Sequence, residues 1–273
     1  MPTVIADDGV RLDYTEHGDP SGRPVVLLAG FKAAATSWRY QLAPFSAAGY
    51  RVIAVDVRGH GASERPASGV DMARRGRDVH DVLTALDLTD VVLIGGSMGG
   101  NTIWSYVEQF GSVALSAIVI VDQTPKMLNT ADWTHGFYGY DESNVDTFFA
   151  TSVPDTGRGT PMWRRGMRLV RLLRVLGSAG ERELTPGELT LLHDHATRDW
   201  RAVIARTETP VLFVAGEQSE LWPSTHARAS AALAPRGRAA VIRNDGHGAN
   251  LEQPAAFNRG VLDYLAEVAP PRR

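Results

Sequence analysis

Apolar residues gather along this chain in short unbroken runs separated by longer stretches of mixed polarity. The runs at 24–29, 51–57, 91–96, 117–121, 210–215 and 238–242 are each strand-length and mainly apolar, with polar residues only at Arg51, Asp56 and Arg238, which predicts strands buried on both faces. Residues 11–16 alternate loosely, as an edge strand does. Between the runs, 37–48, 71–86, 101–110 and 254–268 carry the helical spacing of apolar positions, the first ended by Gly49 and the last opened by Pro254. Buried strands alternating with helices predict an α/β fold, a mostly parallel sheet covered by helices on both faces. No internal repeat or low-complexity segment interrupts the pattern.

One interval breaks it. From 123 to 207 no run reads as a strand, and the stretch is rich in aromatics, including Trp133, His135, Phe137, Tyr138, Tyr140, Phe148, Phe149 and Trp163, with a basic, helical-looking segment at 164–176. A helical cap over 123–207, inserted into a core of 1–122 and 208–273, is the expected arrangement. A lid fits at the carboxyl end of a parallel strand. Most of the aromatics should pack within the insertion, while Trp133, Phe137 and Tyr138 are expected to face a substrate.

Composition narrows the function classes. The 273 residues are 44% hydrophobic and 22% charged with a net charge of -3, which gives no case for nucleic acid or an anionic membrane as partner. Cysteine is absent, so no disulfide, thiol nucleophile or thiolate metal site is available. Residues 1–12 carry Asp7 and Asp8 and lack the basic-then-apolar order of a signal peptide, so a cytoplasmic location is expected. His193 and His195, two apart on an expected helix, do not share a face and make a poor metal pair. Neither metal nor organic cofactor is anticipated, and a homodimer is left open.

The chemistry concentrates at Gly95-Gly96-Ser97-Met98-Gly99, directly after the apolar strand 91–94 and directly before a helix. Gly-x-Ser-x-Gly in that context is a nucleophile elbow. The backbone turns so sharply at the serine that neighbouring side chains must be nearly absent. The hydroxyl then stands above the sheet, with the helix N-terminus and the Met98 N–H aimed at an oxyanion beside it.

Further segments carry a resemblance. Gly30-Phe31 follows the first core strand, and Asp56-Val57-Arg58-Gly59-His60-Gly61-Ala62-Ser63 follows the next. Asp245-Gly246-His247-Gly248 precedes Leu251-Glu252-Gln253-Pro254 near the end. With the elbow, these make nearly the whole chain resemble the α/β-hydrolase superfamily, in particular its small cap-bearing esterase, lactonase and cofactor-free haloperoxidase branch. The resemblance implies a Ser…acid…His triad in which Ser97 is the nucleophile and His247 its base. It also implies an oxyanion hole from the N–H groups of Phe31 and Met98, although Ala29 stands where the family usually has histidine. Asp56, Arg58 and His60 are expected to brace a turn. Lys32 either contacts the substrate or sits in a surface ion pair.

The acid is ambiguous. The family most often supplies it after the strand at 210–215 as Gly-Glu-x-Asp, but this chain reads Gly216-Glu217-Gln218-Ser219-Glu220. Serine cannot carry the charge that an imidazolium needs. Some members place the acid after the strand that follows the nucleophile helix, where Asp122 stands. Glu220 is the alternative. The activity implied is two-step hydrolysis of a small ester or lactone through an acyl-enzyme. Elimination, cyclisation or perhydrolysis on the same site, or ligand reception on the same fold, are the other readings.

Overall fold

The computed structural model describes residues 1–66, 70–176 and 183–272. Among these, one sheet is built from β1 (Thr3–Ile5), β2 (Arg11–His17), β3 (Arg23–Leu28), β4 (Tyr50–Val55), β5 (Val91–Gly96), β6 (Leu115–Val121), β7 (Val211–Gly216) and β8 (Gly237–Ile242). The helices are α1 (Arg39–Ala47), α2 (Met72–Ala85), α3 (Met98–Phe110), α4 (Met167–Leu176), α5 (Pro186–Thr197), α6 (Arg201–Ala205), α7 (His226–Leu233), α8 (Ala249–Glu252) and α9 (Pro254–Val268).

The strand order is β1-β2-β4-β3-β5-β6-β7-β8. β2 pairs antiparallel with both β1 and β4, and every other pairing is parallel. Successive strand residues point to opposite faces, and the burial follows. Val25 and Leu27 join Phe45 of α1 and Phe257 and Val261 of α9, whereas Val26 and Leu28 join Val79 of α2 and Ile103 and Trp104 of α3. Each such side chain removed from water contributes about 1.5–3 kcal/mol, so unbroken apolar runs settle between two helical layers.

Winding direction locates the site. From β3 the chain steps outward to β4, then returns past β3 to form β5 on its other side. Such a reversal opens a crevice at the carboxyl ends of the two strands. The segment Gly30-Phe31 leaves β3 on one side of it, and Ser97 leaves β5 on the other.

The expected elements are present with small shifts of their ends, but three features differ. β1 was not anticipated, because a three-residue strand with only Val4 buried carries no periodicity. The Ala-rich α7 likewise has little polar contrast to read. The insertion is helical only in its second half. Residues 123–161 contain no helix and are held by isolated bridges such as Asn129↔Asp141, with the Asn129 amide donating to the carbonyls of Phe137 (2.7 Å) and Tyr140 (2.9 Å). Asn, Asp, Thr and Gly recur there and favour turns over helix. Within the span 123–207, residues 177–182 lie outside the described residues. The insertion's Phe137, Tyr140 and Phe149 belong to the same apolar cluster as Ile118 and Phe213 of the sheet.

Candidate active site

Ser97 joins β5 to α3 with φ 51° and ψ −131°, a region that non-glycine residues rarely occupy. The surroundings enforce it. A Cβ on Gly95 would stand 2.4 Å from the Gly99 carbonyl oxygen, and one on Gly99 would stand 2.3 Å from that of Leu28. Across the crevice, a Cβ on Gly30 would lie 2.9 Å from the Cβ of Ser97, so glycine lets the Phe31 segment close on Ser97. Met98 is the first residue of α3, and its N–H therefore has no acceptor within the helix.

The Phe31 segment is braced from β4. Lys32 holds a positive φ of 57° while its N–H donates to Nε2 of His60 at 2.7 Å. His60 Nδ1 donates to the Arg58 carbonyl at 2.8 Å, which fixes the neutral tautomer. Burial pushes His60 down to about 4, with Arg75 adding to the effect, so the ring stays an acceptor at neutral pH. Asp56 takes the Ala35 N–H at 2.6 Å and the Ala62 N–H at 3.0 Å, tying the two loops together. Arg58 is locked by Asp78 at 2.7 and 2.8 Å. These residues brace the turn, as their motif suggested.

His247 approaches from the loop after β8. Its Nδ1 lies 2.7 Å from Oδ2 of Asp122. Asp122 ends β6 with φ 45°, and its carboxylate is fully buried. That carboxylate also accepts the Ser219 hydroxyl at 2.6 Å and the Gly216 N–H at 3.0 Å, with His226 Nε2 3.4 Å away. Burial raises the Asp122 pKa, but hydrogen bonds and charge from His226 and His247 outweigh it and hold the acid at about 2. Burial disfavours the imidazolium of His247, yet the bond to Asp122 and that carboxylate's charge prevail, so its pKa is raised. The indole of Trp222 meets the imidazole edge-on, with centroids 5.4 Å apart.

Glu220 contacts the backbone of His247, not its ring. Its Oε2 accepts the His247 N–H at 2.8 Å, and its Oε1 pairs with Arg165. Buried Glu252 accepts the Gly246 N–H at 3.3 Å and pairs with Arg168 at 2.5 Å. The insertion thus grips the His247 loop through two carboxylates. Beside them, Asp245 is fully buried, with no hydrogen-bond partner for either oxygen among the described residues. Burial, reinforced by the charges of Glu252 and Asp122, pushes its pKa up to about 8.

Ser97, Phe31 and His247 share the wall of a cavity of about 400 Å³ with Trp38, Val121, Leu172, Leu221 and Leu251, and with Arg165, Glu220 and Glu252 at one end. The aromatics singled out from the sequence lie elsewhere. Phe137 is buried against Phe149 and Trp222, behind the imidazole, because its apolar ring completes the shared core. Trp133 is buried with its indole N–H on the Lys126 carbonyl at 3.0 Å. Tyr138 lines a separate groove, with Arg158 stacked 4.1 Å over its ring. Lys32 is exposed and absent from the cavity wall among the described residues. The expectation that Trp133, Phe137 and Tyr138 face the substrate is therefore corrected, and of the two readings of Lys32 the cavity does not carry the substrate contact. Trp222, His226, Arg165 and Glu252 were missed; only the serine at 219 signalled that the acid's surroundings had been rebuilt. Among the described residues no cluster of His, Asp and Glu is arranged to hold a metal ion.

Elbow, crevice and sheet together define an α/β hydrolase. The family model for the α/β hydrolase fold matches residues 23–254, and the chain belongs to that family. Among curated proteins it is similar to the non-heme chloroperoxidase CPO-A1 of Kitasatospora aureofaciens, 27% identical over 97% of this chain and 99% of that one. Among solved structures it is similar to a bromoperoxidase from Bacillus anthracis, with 26% identity, TM-score 0.77 and coverage of 96% and 98%. It shares its fold with an esterase from Exiguobacterium antarcticum, at 24% identity, TM-score 0.73 and coverage of 96% and 98%.

Proposed function

We propose that this protein is a serine hydrolase of carboxylic esters or lactones, with Ser97 as nucleophile, His247 as base and Asp122 as acid. The observation that carries the reading is the 2.7 Å contact of His247 Nδ1 with buried Asp122, on an imidazole that shares a cavity wall with Ser97. Asp122 fixes the proton on Nδ1, leaving Nε2 free to accept the Ser97 proton. Ser97 Oγ attacks the carbonyl carbon, and the N–H groups of Met98 and Phe31 stabilise the oxyanion. His247 then gives its proton to the departing alkoxide. Water, deprotonated by the same ring, releases the acid and restores Ser97. The apolar wall around Trp38, Leu172 and Leu251 suits an apolar acyl group or lactone ring.

A second reading is favoured by similarity to non-heme chloroperoxidases along nearly the whole chain. Hydrogen peroxide would replace water at the acyl-enzyme, leaving a peracid and free Ser97. Turnover of p-nitrophenyl esters from acetate to decanoate and of a lactone series, wild type beside Ser97→Ala, tests the first reading. Activity that vanishes with Ser97 supports it. A folded wild type inert on every ester and lactone removes it, and peracid formation from carboxylate and peroxide would establish the second.

A further inference from the structure

Helix α4 sits inside out. On its inner face Arg168 reaches Glu252, Arg171 reaches the Glu252 carbonyl at 2.8 Å, and Leu172 lines the Ser97 cavity. Its outer face presents Met167, Val170 and Leu173, and the turn before it adds Met162 and Trp163. These five are exposed to 58, 38, 54, 66 and 76%. A surface helix ordinarily turns its apolar stripe to the core. Large apolar side chains left together in water at helical spacing mark a contact surface.

Charge identifies what that surface meets. Residues 156–176 contain six arginines and no Asp or Glu. Arg165, Arg168 and Arg171 are turned inward to Glu220 and Glu252. Arg164 and Arg174 remain exposed near the two ends of the apolar stripe, and Arg39 extends the basic rim by donating to the Arg174 carbonyl at 3.3 Å. A second copy docked about a twofold axis would bring two basic rims together with no acid on this segment to separate them. A partner with an apolar interior and anionic edge complements the face instead. A bilayer containing anionic lipid has that profile, hydrocarbon for Trp163 and Leu173 and headgroups for the arginines.

We propose that α4 and the turn before it dock this protein on an anionic lipid surface, with the Ser97 cavity on the reverse of the docking helix. The whole-chain charge of -3 conceals this, because the basic rim is local. No helix among the described residues is long and apolar enough to cross a membrane, and the docking is interfacial.

The test is co-sedimentation of the full chain with vesicles of equimolar phosphatidylglycerol and phosphatidylcholine, against phosphatidylcholine alone, at low and physiological salt. Wild type is expected to pellet with the anionic vesicles at least about tenfold more strongly, and less so as salt rises. Trp163→Ser with Leu173→Asp should weaken that binding about tenfold or more. The surface variant Arg164→Gln with Arg174→Gln, which disturbs no buried group, should weaken it and blunt its salt dependence. Circular dichroism of both variants guards against misfolding. The proposal is overturned if wild type stays in solution with anionic vesicles, if both vesicle types bind alike, or if neither variant alters binding. It is also overturned if sedimentation velocity shows a dimer that Trp163→Ser with Leu173→Asp dissolves, which would assign the face to a second copy.

Discussion

Replacing Asp122 with Asn keeps the residue's shape and removes its charge. In the wild type Oδ1 takes the Gly216 N–H, while Oδ2 takes the Ser219 hydroxyl and His247 Nδ1. The backbone N–H of Gly216 cannot rotate away, so the Asn oxygen must stay on it. The Asn NH₂ then faces Ser219 and His247. Ser219 can turn its hydroxyl to accept, but His247 can accept only by moving its proton to Nε2, where it meets Ser97 and cannot act as a base. The opposite amide orientation sets NH₂ against N–H and leaves a buried donor unsatisfied, at about 1–3 kcal/mol. Loss of the correct tautomer in a serine triad is worth about 10²–10⁴ in rate, or about 3–5.5 kcal/mol of barrier. The assay is kcat/KM on p-nitrophenyl butyrate near neutral pH for D122N and E220Q side by side, with melting curves to verify folding. We expect D122N to fall by at least about a hundredfold and E220Q to keep most of its activity, because Glu220 holds only the loop backbone. A D122N variant within tenfold of wild type, or an E220Q loss as deep as that of D122N, would refute this reasoning.

Three further outcomes follow from neighbouring contacts. Ser219 donates to the Asp122 carboxylate, so Ser219→Asp combined with Asp122→Asn returns a carboxylate to the imidazole's reach; kcat/KM should exceed that of D122N by about tenfold or more, and no gain would sink the idea. Asp245, pushed up to about 8 in the fold from an ordinary 3.8, binds its proton more tightly folded than unfolded. Its contribution to stability therefore declines as pH rises from about 4 to about 8, and urea melts of D245N should gain more over wild type at pH 8 than at pH 5, by about 1–3 kcal/mol or more. A gain independent of pH would contradict a buried, protonated Asp245. Arg168→Met should lower urea stability by about 3 kcal/mol, since Glu252 would remain buried without its closest cation; an unchanged midpoint would show that Arg165 suffices.

The sequence disclosed what depends on local chemistry. Strands fully buried on both faces write themselves as unbroken apolar runs, so β3 to β7 were legible, and the elbow was readable because its glycines are sterically required. The same logic drew attention to Ser219, which stands where the family most often has a carboxylate and which the fold sets on Asp122. Features set by long-range packing were not legible. Nothing local distinguishes His226 on an Ala-rich helix from a bystander, yet the fold brings its ring to Asp122. Trp133 and Phe137 looked like cleft residues because aromatic content does not report which side of a ring is covered. Glu252 lies in a recognisable motif, but its partners Arg165 and Arg168 come from a segment some eighty residues earlier, as the separation of 84 for the Arg168 contact shows.

Asp122 also marks the root of the insertion, the last point at which the chain belongs to the sheet before it departs. An acid placed after β7 would leave no charged member of the site at the point where the insertion departs. Here the seam passes through the candidate site, at the carboxylate that meets His247. A lid transplanted from a relative must leave β6 through the left-handed turn at Asp122 and rejoin β7 in register with the Ser219 hydroxyl. Recombination in this chain is therefore constrained at both borders of the insertion, and a new lid must be chosen by how it begins and ends before what it covers.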